Sequence, residues 1–201
     1  MEQTEADLQS EKPILNIIGD RIALGPVRKS MASAFARWEN DFAVTLMSGD
    51  PIGPVSQESV EARLERSSKE GSARQVDFAI YERASMRLIG SAGLRHIDKT
   101  RRTAEYGIMI GEKDCWGKGY GTETTILMLD YAFTVLGLHN VLLSTYGYNE
   151  RAVRAYTRAG FRVIGRQREA ARLGNQLYDV IFMDCLATEF RNPLRRVIDL
   201  P

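Results

Sequence analysis

Trp116-Gly-Lys-Gly-Tyr-Gly-Thr122 decides how this chain is read. Upstream, Arg102 to Gly111 is a strand-like run, and downstream Gly119 to Leu136 reads as a long apolar helix. That helix has Ile126, Leu129, Ala132 and Phe133 on one face. Glycines at alternate positions let backbone N–H groups converge on one point. The helix that starts there adds its free N–H groups and the positive end of its dipole. Lys118 adds a full charge. Together these make an anion site suited to a pyrophosphate. A Walker loop needs Gly-x4-Gly-Lys-Ser/Thr, and a Rossmann turn needs glycine where Thr122 stands; neither fits. A kinase loop needs later His-Arg-Asp and Asp-Phe-Gly strings, which are missing. A plain glycine-rich turn capping a helix is the remaining alternative.

Working outward, the segments before the turn read as a strand over Arg21 to Val27 and a helix over Lys29 to Asn40. A Gly/Pro-punctuated connection follows over Met47 to Val55, then a helix capped by Ser56 and ended by Gly71. Gln75 to Glu82 and Met86 to His96 read as strands. Beyond the long helix come a strand at Asn140 to Tyr146 and a short helix at Glu150 to Ala159, closed by Gly160. Two final strands run over Phe161 to Gln167 and Leu177 to Ala187. The order is not a clean βαβαβ alternation, so it argues for a mixed α/β (α+β) fold and against a doubly wound sheet. At 201 residues one domain is expected, at 16–188, between a flexible arm at 1–15 and a tail at 189–201.

The 27 basic and 26 acidic residues nearly cancel, which speaks against a nucleic-acid partner. Two cysteines and two histidines have no metal-ligand spacing, so no metal is expected. No stretch approaches the ~20 apolar residues of a membrane span, so no membrane partner is expected. The polar N-terminus lacks the features of a signal peptide, and a cytoplasmic location is the expectation.

The turn resembles the Gln/Arg-x-x-Gly-x-Gly/Ala string of the GCN5-related N-acetyltransferases (the GNAT superfamily), with Gly119 and Gly121 at the two small positions. Trp116 in place of Gln or Arg is similar to the subgroup of ribosomal-protein alanine and spermidine acetyltransferases. Three further stretches carry the resemblance. Asn149 to Phe161 is similar to the family's Asn-x-x-Ala-x-x-x-Tyr-x-x-x-Gly-Phe helix, Ala104 to Gly111 to its fourth strand, and Gly165 to Cys185 to its terminal hairpin. The resemblance implies a mostly antiparallel mixed sheet, splayed between its fourth and fifth strands and flanked by helices. It also implies acetyl-CoA as co-substrate, held by Trp116, Gly117, Lys118, Gly119, Tyr120, Gly121, Thr122 and Ala152. Backbone groups of Ile108, Met109 and Ile110 would meet the pantetheine arm as an added strand would. One of their N–H groups would also polarise the thioester carbonyl. Asn149 would hold the pantetheine end and Tyr156 would aim at the sulfur.

Acyl transfer to an amine needs a base for the ammonium, a hold on the oxyanion and an acid for the leaving thiolate. Tyr156 is the candidate acid, against the reading of a partly buried tyrosine on an amphipathic helix. Glu105 is the candidate base, against a strand-edge glutamate paired with Arg101 or Arg102. His96 ends a strand and reads as a surface cap or an acceptor-site residue; Cys115 reads as inert. Trp38, Phe42 and Met47 are either core or walls of the acceptor pocket. Glu39, Asp41, Asp50, Glu58 and Glu61 cluster in the helical region that would cover the acceptor, which favours a small cationic amine such as a polyamine or an aminoglycoside-type antibiotic. A protein N-terminus or lysine is the second acceptor class, and a non-catalytic acyl-CoA sensor the reading of a different class. The basic tail with Arg191, Arg195 and Arg196 reads as a solvated segment or a homodimer contact.

Overall fold

Strands with apolar residues at both parities need cover on both faces. The Val76–Glu82 strand buries Phe78, Ala79, Ile80 and Tyr81 in succession, and it lies within a sheet covered by helices on both sides. A computed structural model of the chain describes residues 13–48, 53–70 and 73–194, and of residues 68–70 the backbone alone. The expectations for residues 1–12, Asp50, Gly71, Arg195 and Arg196 lie outside the described residues.

The strands are β1 (Ile17–Ile18), β2 (Ile22–Pro26), β3 (Val76–Glu82), β4 (Arg87–Asp98), β5 (Thr103–Ile110), β6 (Asn140–Tyr146), β7 (Arg162–Leu173) and β8 (Gln176–Leu186). The helices are α1 (Ala32–Glu39), α2 (Phe42–Ser48), α3 (Gln57–Glu70), α4 (Tyr120–Asp130) and α5 (Glu150–Ala159). They build one sheet in the order β1-β2-β3-β4-β5-β6-β8-β7. Every pairing is antiparallel except β5 with β6. One face packs under α4 and α5 through Leu24, Ile80, Leu94, Tyr106, Leu127, Phe161 and Met183. The other packs under α1, α2 and α3 through Phe35, Trp38, Val44, Val60, Tyr81 and Met109.

The expected splay is present. The parallel pair runs only from Thr103↔Asn140 to Glu105↔Leu142, and the strands part beyond it. Because β1 precedes the first expected strand, the parting strands are the fifth and sixth.

Two elements differ from the sequence expectation. The helix expected over Lys29 to Asn40 is a 3-10 turn at Lys29–Met31 followed by α1. Chain expected as connection begins instead within α2, which starts where Asp41 Oδ1 accepts the Ala43 N–H at 3.0 Å. Asn40 fixes the corner: its Nδ2 donates to the carbonyls of Ala36 and Val55, and its Oδ1 accepts from the Val55 N–H. The long apolar helix is α-helical only to Asp130 and then widens to a π turn at Tyr131–Val135.

The terminal hairpin is longer than its apolar pattern, because β7 and β8 continue to a turn at Gly174, where φ is +59°. β7 is an edge strand, interrupted by register shifts between Val163 and Gly165 and between Gln167 and Ala171. It carries Arg162, Arg166, Arg168 and Arg172 beside exposed Val163 and Ile164.

Glu123, in the first turn of α4 and 3% exposed, ties that helix to β2. Its Oε1 accepts the Arg21 and Ile22 backbone N–H groups at 2.8 and 3.2 Å, and its Oε2 accepts from Arg21 Nε at 2.9 Å. Arg21 Nη1 donates in turn to the Lys118 carbonyl at 2.9 Å. The glycine turn and the start of β2 therefore share one carboxylate. Removing it leaves two inward N–H donors without partners. Glu123→Ala is expected to lower the unfolding free energy by about 2–4 kcal/mol, read from the urea midpoint at unchanged slope.

Candidate active site

A cavity of about 380 Å³ lies between the parted end of β5 and α5. Its first wall is β5. The Gly111 N–H donates to the Ile89 carbonyl at 2.9 Å, so alternation turns Met109 and Gly107 toward β4 and the backbone edges of Ile108 and Ile110 toward the gap. The Ile110 carbonyl accepts from Trp116 Nε1 at 2.7 Å. Ile108, Met109 and Ile110 all line the cavity. The backbone groups of Met109 belong to the β4 ladder, which corrects its expected part in holding a ligand by its main chain.

The floor is the glycine turn. Gly117 and Gly119 have φ of +75° and +82°, the left-handed region that glycine enters at least cost. Gly119 is the N-cap of α4. At Gly121 no atom lies within 4 Å of where a Cβ would stand, so a ligand can approach the backbone there. Trp116, Gly117, Gly119, Tyr120, Gly121 and Thr122 line the cavity, and Lys118 does not. Lys118 gives its backbone carbonyl to Arg21 Nη1 at 2.9 Å.

The second wall is α5. Asn149 caps it by accepting the Ala152 N–H on Oδ1 at 3.2 Å, while its Nδ2 donates to the Met47 carbonyl at 3.0 Å. Tyr148 donates its hydroxyl to the Leu46 carbonyl at 2.8 Å. These two bonds hold the C-terminal end of α2 over the cavity, which Val44, Met47 and Ser48 line. Asn149 thus has both polar ends engaged within the protein. Ala152 and Ala155 keep the helix face low and Tyr156 stands beside them.

Tyr156 is 9% exposed, with its ring edge-on to Tyr106 and Phe161. Burial pushes its hydroxyl up to about 12. Among the described residues that hydroxyl has no hydrogen-bond partner. Glu105 lies on the other face. Its neighbours Ala104 and Tyr106 are buried under α4 and α5, so alternation sends its carboxylate to the opposite side. It occupies the last paired position before β5 and β6 part, and its Oε2 is 3.1 Å from His96 Nδ1. His96 sits in a bulge of β4 with φ of +51°. Glu105 is therefore outside the cavity, at the fork, across the sheet from Tyr156.

Trp38 is 1% exposed, packs on Phe35 and donates Nε1 to Glu112 at 3.0 Å. It is core, which corrects its candidacy as a pocket wall. Phe42 is 60% exposed and outside the cavity; Met47 lines it. Two of the five acidic residues are committed to ion pairs: Glu39 with Arg63, and Asp41 with Lys113. Cys115 lines the cavity, but burial raises its thiol above the usual range.

Sequence reasoning left out Arg151, Arg154 and Arg158, all at the cavity. Their spacing on a recognised helix was the available signal. Arg151 sits 4.0 Å over the Trp116 ring and spans from α5 to the turn.

An open strand edge, a left-handed glycine turn and a tyrosine-bearing helix are thus gathered at one splayed pair. Residues 21–162 match the model of the acetyltransferase (GNAT) domain, and the chain belongs to that family of acyltransferases. An uncharacterised N-acetyltransferase, p20, of Bacillus licheniformis is 27% identical over 173 residues, spanning 85% of this chain and 96% of that protein. The spermidine N(1)-acetyltransferase of Vibrio cholerae is 33% identical over 113 residues, 56% of this chain and 65% of that protein. The crystal structure of a Vibrio cholerae spermidine N-acetyltransferase in complex with CoA and spermine superposes with a TM-score of 0.75 at 24% identity, covering 84% of this chain and 97% of that one. At that identity the likeness is one of fold.

The open space at Gly121 separates binding from folding. The Cβ of Gly121→Glu meets no neighbouring atom, and the substitution adds a negative charge beside the glycine turn. Calorimetry is expected to show acetyl-CoA binding abolished, with the melting temperature shifted by no more than about 4 °C, the cost of roughly 1 kcal/mol or less.

Proposed function

We propose that the chain transfers the acetyl group of acetyl-CoA to a primary amine by direct attack within a ternary complex. The observation that carries this reading is the largely buried Tyr156, whose hydroxyl has no hydrogen-bond partner among the described residues, in a cavity floored by the glycine turn. The pyrophosphate rests on the turn, where Gly117, Gly119 and Gly121 give access to backbone N–H groups and the α4 dipole. The pantetheine arm runs along the backbone edges of Ile108 and Ile110, completing the strand that β6 leaves unpaired. An N–H of this edge faces the thioester oxygen and holds the oxyanion.

The amine reaches the thioester from the Glu105 side of the sheet. Glu105, through a water, takes the ammonium proton. The nitrogen lone pair forms the C–N bond, the carbonyl electrons move to oxygen, and on their return the C–S bond breaks. The departing sulfur accepts a hydrogen bond from Tyr156, and it takes up the second nitrogen proton, passed on through water, as the amide forms. A phenol near 12 is a weaker acid than a thiol of ordinary pKa ~8.5. Tyr156 therefore acts mainly by a hydrogen bond to sulfur as charge develops there, and it stays protonated throughout the working range. The raised thiol of Cys115 supports direct transfer over an acetyl-enzyme.

The acceptor is a small cationic amine, in keeping with the similarity to spermidine N(1)-acetyltransferases. Glu39 and Asp41 are held in ion pairs, which leaves Glu105 at the fork as the carboxylate assigned to the ammonium.

Three measurements test the mechanism. Tyr156→Phe is expected to lower kcat ~10- to 1,000-fold with little change in acetyl-CoA affinity; full activity would remove the acid. Glu105→Gln is expected to lower kcat/KM most at low pH, where free amine is scarce; a profile superimposable on wild type would give the base role to bulk water. Mass spectrometry after incubation with acetyl-CoA alone is expected to find Cys115 unmodified.

A further inference from the structure

Among the described residues, the charged side chains at the cavity are Arg151, Arg154 and Arg158, and no carboxylate lines it. All three belong to α5, at positions i, i+3 and i+7. At such spacings like charges on a helix face one another and repel. One carboxylate relieves them in part, since Glu150 accepts from Arg154 Nη1 at 3.0 Å, but Glu150 is on the solvent side at 77% exposure. Arg151 lies over the Trp116 ring, partly out of water, and Arg158 has no carboxylate partner among the described residues.

This ridge faces the same cavity as the glycine turn, yet its chemistry differs. The turn presents backbone N–H groups and a helix dipole, which suit the spread charge of a pyrophosphate. The ridge presents guanidinium forks, which suit the bidentate geometry of a terminal phosphomonoester. Coenzyme A carries both groups, one on each side of its ribose.

We propose that Arg151, Arg154 and Arg158 form a second anion subsite for the ribose 3′-phosphate of coenzyme A, so that the protein selects the phosphorylated cofactor over its 3′-dephospho form. This rests on the reading of the glycine turn as the pyrophosphate site. Arg158 and Arg154 clamp the phosphate. Arg151, stacked on Trp116, adds charge to the same site and closes the side of the cavity between the turn and α5.

The test is calorimetric titration of the wild type, an Arg154→Gln/Arg158→Gln double variant and Gly121→Glu with coenzyme A and with 3′-dephospho-coenzyme A at one fixed ionic strength. The wild type is expected to bind coenzyme A about ten- to a hundredfold more tightly than the dephospho form, the size of one or two charge-assisted hydrogen bonds. The double variant is expected to lose that preference by weakening coenzyme A alone, with the dephospho form changed less than about twofold. Equal binding of both ligands by the wild type, or equal weakening of both in the double variant, overturns the subsite. If instead Gly121→Glu binds either ligand as the wild type does, the pyrophosphate reading fails and takes the subsite with it.

Discussion

β5 and β6 share three paired positions and then separate, and the remaining architecture answers to that separation. A strand edge facing inward must find partners for its N–H and C=O groups. The Trp116 indole takes one carbonyl, that of Ile110, and the rest of the edge is open to a ligand. Such a gap weakens a sheet unless other elements bridge it. β6 is held from its far side by seven pairings with β8. Across the gap, the bonds from Tyr148 and Asn149 to α2 carbonyls and the stack of Arg151 on Trp116 join the two halves. The braces and the cavity walls are largely the same residues.

The charges are sorted with equal consistency. A carboxylate in the first turn of a helix favours the dipole but would repel a bound phosphate. Glu123 meets both demands by turning its oxygens to Arg21 and Ile22, away from the cavity. Glu112 is likewise drawn to Arg37 and Trp38. Among the described residues, what remains at the cavity is cationic or neutral, and Glu105 lies on the opposite face.

Much of this was legible in the chain itself, for physical reasons. The segment from Asn149 to Gly160 announces a helix at both ends, and the structure gives Asn149 as a side-chain cap and Gly160 a φ of +113°. The glycine turn was legible because few residues other than glycine accept the conformations of Gly117 and Gly119. α2 was missed because seven residues are too few for a helical period, though Asp41 offered a cap. The burial of Trp38 was not legible: a tryptophan at helical spacing can face a core or a pocket, and only the close approach to Gly111, where a Cβ would come within 2.0 Å of the indole, settles it. The engagement of Glu39 and Asp41 was hidden because their partners, Arg63 and Lys113, are 24 and 72 residues away in sequence.

The arginines of β7 have a consequence for how the molecule behaves in a crowded solution. An edge strand with exposed valine and isoleucine is a template on which another chain can add. Arg162 and Arg166 are paired with Glu189 and Asp179, but Arg168 and Arg172 set like charges against any copy that approaches β7 in this way, and the two register shifts bend the strand out of a flat ladder. That protection is electrostatic, so its range shrinks with the Debye length, from about 10 Å at 0.1 M salt to about 3 Å at 1 M. Colloidal stability of the folded protein is thus tied to ionic strength through a strand remote from its cavity.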